Sequence, residues 1–153
     1  MGTRTHWLKG ALLGAGFATV LSASPVEAHS NVFPLTGTLT TEQVACDSLC
    51  TEGPLTGGLA GQLEFTMDAM TETSHPDVVT YTGVNVITTS RGTISGPDYG
   101  IWNLATGEFV DYTRFTSGTG DFAGASGTFV IAGKFDPVTG IGASNYMAFI
   151  RTP

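Results

Sequence analysis

The 153 residues carry 6 Lys and Arg against 13 Asp and Glu, a net charge of −7, with 12% charged and 41% hydrophobic residues. A chain this acidic, with no basic cluster, is a poor partner for nucleic acid or an anionic membrane surface, and its charge reads first as solubility. Two cysteines and three histidines leave little room for thiol or metal chemistry.

Arg4 and Lys9 precede an apolar run from Gly10 to Leu21, and Val26-Glu27-Ala28 places small residues where a signal peptidase reads. Residues 1–28 are therefore predicted to be a cleaved secretory signal peptide, leaving 29–153 as a single secreted or periplasmic domain. The apolar run is shorter than the roughly 20 residues needed to cross a bilayer, so no membrane partner is expected after its removal. Loss of Arg4, Lys9 and Glu27 takes the net charge from −7 to −8.

Phe33 to Thr41 reads as the first strand. Thr40-x-x-Gln43 then resembles a capping box, which predicts a short helical turn from Glu42 to Leu49. Cys46 and Cys50 form an even pair in an exported chain, most simply a disulfide closing a very small loop. Such a closure is worth about 2 kcal/mol in the chain-entropy account, so it is expected to staple a turn rather than hold the domain together. Two cysteines without a nearby third ligand cannot complete a zinc site. His29 and His75 could bind copper only if His29 became the N-terminus and His75 lay beside it, so no metal is assigned.

From Gly58 to Asp68, Leu59, Leu63, Phe65 and Met67 alternate with Gln62, Glu64, Thr66 and Asp68, the period of a sheet with one buried face. A long strand, Asp77 to Ser90, follows a loop. Gly92 to Gly96 and Tyr99 to Leu104 come next, divided at Pro97, which lacks the N–H that a ladder needs. Phe109 to Thr116, Thr128 to Phe135 and Ala143 to Arg151 complete about eight strands joined by short glycine turns. This pattern predicts an all-β domain: an eight-stranded antiparallel up-and-down barrel, with a β-sandwich as the alternative.

Between two of these strands lies Ser117-Gly118-Thr119-Gly120-Asp121-Phe122-Ala123-Gly124-Ala125-Ser126-Gly127, where glycines allow positive φ and Phe122 can drop into the core as a sheet corner. Gly118-x-Gly120-x-x-Ala123 has the letters of a dinucleotide fingerprint, but a strand rather than a helix is expected after it. Gly118-Thr119-Gly120, Phe122, Ala125 and Gly127 do resemble the G-T-G-x-F-x-x-A-x-G signature of dirigent and allene oxide cyclase-like barrels, over the C-terminal third of the chain. That resemblance implies a calycin-like barrel and a protein that holds a reactive small molecule in a productive conformation without a cofactor. It carries over no catalytic residue.

Candidate site residues come from the strand faces. In the strand from Asp77, Tyr81, Asn85, Thr89 and Arg91 share one face and Thr80, Thr82, Val84, Val86 and Thr88 the other; either parity could point inward. Asp98, beside Pro97, is expected where a strand breaks and aims a polar group into the barrel mouth, or is only a turn residue. Tyr146 offers a phenol inside an apolar cavity or a structural hydroxyl. Arg91, Asp98, Tyr81 and Tyr146 are thus the acid, base or orienting candidates, with Asn85, Phe65, Phe129 and Phe149 as a lining. There is no G-x-S-x-G elbow, and no cysteine outside the expected disulfide. The functional expectation is a barrel that binds a small, largely apolar molecule and steers its cyclisation or coupling. The alternative is a non-catalytic interaction module with a filled barrel, and a homo-oligomer is compatible with both.

Overall fold

The computed structural model describes residues 34–153, so the expected signal peptide and His29 lie outside the described residues. Period two governs the chain almost throughout, giving strands β1 (Leu35–Val44), β2 (Cys50–Leu55), β3 (Gly61–Glu72), β4 (Val78–Thr89), β5 (Gly92–Asn103), β6 (Glu108–Phe115), β7 (Ser117–Gly118), β8 (Ser126–Asp136) and β9 (Ile141–Arg151). Each long strand pairs antiparallel with the next, and β9 returns to β1 along Leu35↔Ala148 to Glu42↔Ile141. The result is a closed eight-stranded up-and-down barrel, with the two-residue β7 added beside β5. Closure leaves no long unpaired edge, which a sandwich would have to protect by other means.

The expected number of long strands is right, but two of the expected strands are not. Pro97 does not divide β5: it faces solvent and pairs with Val84 inside one continuous strand. On the other side of β5 it falls between the ladder with β6, which starts at Asp98, and that with β7, which ends at Ser95, so a residue without an N–H interrupts little. The second correction is β2, which occupies Cys50–Leu55. No helical turn forms from Glu42 to Leu49: β1 runs on to Val44, and residues 45–49 are a bend closed by the Cys46–Cys50 disulfide. The bend is tied to β3 by Ser48 Oγ donating to Met67 O at 2.8 Å and Met67 N donating to Leu49 O at 2.9 Å, beside the β-bulge between Met67 and Ala69.

One end of the barrel is plugged. Single 3-10 turns, Gly57–Leu59 and Gly120–Phe122, drive Leu59 and Phe122 under the strands, where each is 3% exposed or less. Gly120 holds a φ of +58°, a conformation that a β-branched residue adopts only with strain. The glycine-rich segment is therefore a stopper, and the strand β8 rather than a helix follows it, which removes the dinucleotide reading. Phe115, Phe129 and Tyr146 stack above the plug with ring centroids 5.8 and 5.2 Å apart. The other end carries the bend 45–49 and the β3–β4, β5–β6 and β8–β9 turns, and it is open.

Candidate functional site

The inward residues of β4 and β5 set the site. On β4, Val79, Tyr81, Asn85 and Ile87 are buried, which settles the parity left open above; on β5, Ile94, Asp98 and Trp102 are buried. Tyr81 pairs with Gly100, and its ring lies where a side chain at position 100 would stand, so only glycine there lets the phenol reach across the barrel. Phe65 meets that ring edge-on at 5.8 Å. From β6, Asp111 and Thr113 point inward between Phe109 and Phe115.

Two polar layers result. In the upper one, nearer the mouth, Tyr81 donates its hydroxyl to Asp111 Oδ2 at 3.4 Å. In the lower one, Asn85 Nδ2 donates to Thr113 Oγ1 at 2.8 Å and to Asp98 Oδ1 at 3.1 Å, while Thr113 donates to Asp98 Oδ1 at 2.8 Å. Among the described residues four buried polar atoms have no partner: Asn85 Oδ1, Asp98 Oδ2, Asp111 Oδ1 and Trp102 Nε1. Buried polar groups in folded proteins are nearly always paired, and leaving one unpaired costs about 1 to 3 kcal/mol. Four in one interior, among the described residues, single out this part of the barrel as the candidate site.

The electrostatics agree. Burial, then the charge of Asp98, pushes the Asp111 carboxyl well above the usual carboxylate range, against the opposing bonds from Tyr81 and the Ile131 backbone. Burial also raises Asp98, partly offset by Thr113 and Asn85. Tyr81 is raised by burial and by both carboxylates. Neither recorded ion pair reaches these acids: Arg91–Asp121 and Lys134–Glu108 both lie on the outside. An acid enclosed without a cation keeps its proton to higher pH than an exposed carboxyl does, which makes these two groups candidates for proton transfer.

Above Asn85 and beside Tyr81 and Asp111 is a cavity of ≈ 60 Å³, walled by Leu39, Leu63, Phe65, Trp102 and Phe135 and reaching Leu49 and Phe109 at the open end. Trp102 and Phe135 meet edge-on at 5.6 Å. About 10 to 15 Å³ by this measure admits one water, so the space takes a group of a few heavy atoms. Trp102 Nε1 supplies a donor and Asp111 an acceptor or, when protonated, a second donor.

Of the residues expected at the site, Tyr81, Asn85 and Phe65 line the cavity. Asp98 is in the interior, but within a strand and one layer below the mouth rather than at its rim. The others are placed elsewhere. Arg91 is on the surface of the plugged end, its Nε 3.0 Å from Asp121 Oδ2 and its guanidinium 5.3 Å from the Phe122 ring centroid, where it latches the β4–β5 turn to the plug. Phe149 points outward and is 38% exposed, because it alternates with the inward Ala148 on β9. Phe129 is fully buried in the core beneath the site. Tyr146 accepts from Leu59 N at 2.8 Å and donates to Thr56 O at 2.7 Å, so its hydroxyl is committed to holding a plug turn.

Asp111, Thr113 and Trp102 escaped the sequence reading. Their signal was the spacing Phe109, Asp111, Thr113, Phe115: two phenylalanines at the ends of a period-two set place the polar pair between them on the core face. Among the described residues no group of three or more His, Cys, Asp and Glu is placed to hold a metal ion, and no helix is long and apolar enough to cross a membrane. No protein-family model, curated protein or solved structure matches the chain.

Proposed function

We propose that the barrel binds a small, largely apolar molecule through its open end and uses the buried acids to orient it and transfer protons to it, as in the cyclisation or coupling chemistry that the glycine-motif resemblance implies. The observation that carries this reading is the coincidence of an aromatic-walled cavity with unpartnered polar atoms on Asn85, Asp111 and Trp102. Apolar walls with a few convergent polar groups are the usual form of a small-molecule site. The protonated acids would act on a bound substrate as general acids, and Tyr81 would hold Asp111 in place. At ≈ 60 Å³ the cavity seats a compact group, with the rest of a larger molecule at the mouth between Leu49 and Phe109. Export to an extracytoplasmic compartment belongs to the same proposal, supported by the leader-like residues 1–28 and the Cys46–Cys50 disulfide.

A second reading, a surface-interaction module or homo-oligomer, is favoured by the outer wall. Tyr99 and Tyr112, 55% and 46% exposed, are cross-strand partners, and Ile101 and Val110 lie next to them. Native mass spectrometry of the protein and of Thr51→Phe, whose larger side chain fills the cavity, separates the two. Binding predicts one small molecule per barrel, released on unfolding and missing from Thr51→Phe. Identical ligand-free masses, together with self-association or partner capture by both proteins, would overturn it in favour of the second reading.

A further inference from the structure

The charges of this barrel are sorted by end. Of the four Lys and Arg residues in the described range, Arg91, Arg114 and Arg151 lie towards the plugged end, on the β4–β5 turn and at the ends of β6 and β9. Around the open end stand Glu42, Asp47, Glu72, Asp77, Glu108 and Asp136, against Lys134 and His75. Lys134 is itself occupied by Glu108 at 3.4 Å. A mouth ringed by one sign of charge above low-dielectric walls concentrates counter-ions of the opposite sign at its entrance.

Inside that mouth two of the three unpartnered groups on the cavity wall are acceptors, the third being the Trp102 indole N–H. Asp111 is 6% exposed and Asn85 1% exposed, and the free Oδ1 of each is an acceptor in a cavity whose other walls are Phe65, Tyr81, Trp102 and Phe135. The groups facing Asp111 are Tyr81 from β4 and Asp98 from β5; the cavity-lining residues of β1, β2, β3 and β8 do not ionise. Two enclosed acids without a base can be met in two ways, by protons or by a cation that replaces them. Aromatic faces around a carboxyl suit an organic cation, which gains from the rings as well as from the charge.

We propose, building on the small-molecule reading above, that the compact group seated in the cavity is a protonated amine, its ammonium donating to Asp111 and to the Asn85 carbonyl oxygen while its carbon body packs on Phe65, Trp102 and Phe135. An ammonium of this kind fits the volume: ethylammonium has three heavy atoms, against space for about four water-sized volumes. Where Asp111 carries a proton, seating the ammonium expels it, so binding releases a proton and tightens as pH rises through the Asp111 titration. A neutral isostere has no such linkage.

The test is calorimetric titration of the disulfide-bonded protein with ethylammonium, with ethanol as the neutral isostere and sodium chloride at matched ionic strength as the control, at several pH values. The expected result is saturable ethylammonium binding that tightens by up to about tenfold per pH unit through the Asp111 titration and then levels. Ethanol and sodium should give no heat, and Asp111→Asn should weaken ethylammonium by at least about tenfold. If Asp111→Asn fails to fold, Thr51→Phe, which keeps the charges but fills the space, should abolish binding instead. Equal binding of ethanol would overturn the amine assignment and leave the small-molecule reading standing. Sodium binding in place of ethylammonium would overturn it in favour of a metal ion, and binding unchanged in Asp111→Asn would place the amine on the rim. Failure of every probe at every pH would overturn the amine assignment, while the small-molecule reading stands or falls on the native mass spectrometry above.

Discussion

The two ends of the barrel are built from the same eight strands and differ in how they treat polar groups. At the plugged end Tyr146 uses its hydroxyl twice, Thr93 and Thr119 share a bond of 2.7 Å, and Phe115, Phe122 and Phe129 are each 3% exposed or less. At the open end Tyr81 reaches one carboxylate at 3.4 Å, and four buried polar atoms stay unpaired. The difference teaches that paired and unpaired polar groups have been separated along the barrel axis. One end holds the sheet closed, and the other keeps hydrogen-bonding capacity in reserve.

The largest effect expected from breaking this division is Phe129→Ala, which removes a fully buried ring between Phe115 and Tyr146. It should cost about 3 to 5 kcal/mol in chemical denaturation. Phe109→Ala, half-buried at the mouth, should cost well under half as much; equal losses would show that the open end carries as much of the fold as the plug.

The same chemical change can be made at both ends. Tyr146→Phe strands the Leu59 N–H and the Thr56 carbonyl and should lower stability by about 1 to 3 kcal/mol. Tyr81→Phe gives up only the long 3.4 Å bond to Asp111, and its stability should stay within about 1 kcal/mol of the parent.

Legibility in the sequence follows the same axis. The barrel could be read because period-two alternation, as in Leu63, Phe65 and Met67, reports a sheet face directly, and because Gly120 and Phe122 announce a tight turn with a buried ring. β2 could not, since Cys50-Thr51-Glu52-Gly53-Pro54-Leu55 contains Gly and Pro and is held as a strand by its neighbours β1 and β3 rather than by its own propensity. Pro97 misled because the cost of a missing N–H depends on whether the facing ladder needs it, which only the pairing shows. At the site, Tyr81 and Asn85 were visible as candidates; Arg91 was drawn in by extending their face past Thr89, where β4 ends, and Tyr146 by its phenol. Asp111 was passed over although Phe109 and Phe115 frame it, because an acid among inward positions is costly in general and acceptable only where a cavity and a purpose offset it.

Reducing the Cys46–Cys50 disulfide bears on the mouth alone. It should remove about 2 kcal/mol, leave the sheet circular dichroism intact and loosen the bend that carries Leu49. A cooperative collapse of the sheet would show that the open end is not an independent appendage.

The smallest change is in the response to pH. Because burial makes the folded chain hold protons on Asp98 and Asp111 more tightly than the unfolded chain, stability is greatest below the unfolded value near 3.8. It falls as pH rises towards the folded values, by up to about 1.4 kcal/mol per pH unit per group. Asp136, held below 3.8 by the Val138 N–H, works in the opposite sense and loses its contribution as pH falls through its folded value. Asp111→Asn should flatten the decline in melting temperature between pH 4 and neutrality while leaving the acid limb.

The central claim is that the open end encloses two acids without a cation, and carbon-13 NMR of the aspartate carboxyls tests it most directly. In the ligand-free protein the account predicts that Asp98 and Asp111 both titrate above the ordinary aspartate value near 3.8, with Asp111 the more displaced, and that Asp98→Asn lowers the value for Asp111 by removing its neighbour's charge. Both carboxyls titrating with the surface aspartates would contradict it, since the interior would then be hydrated and the unpartnered atoms already satisfied by solvent.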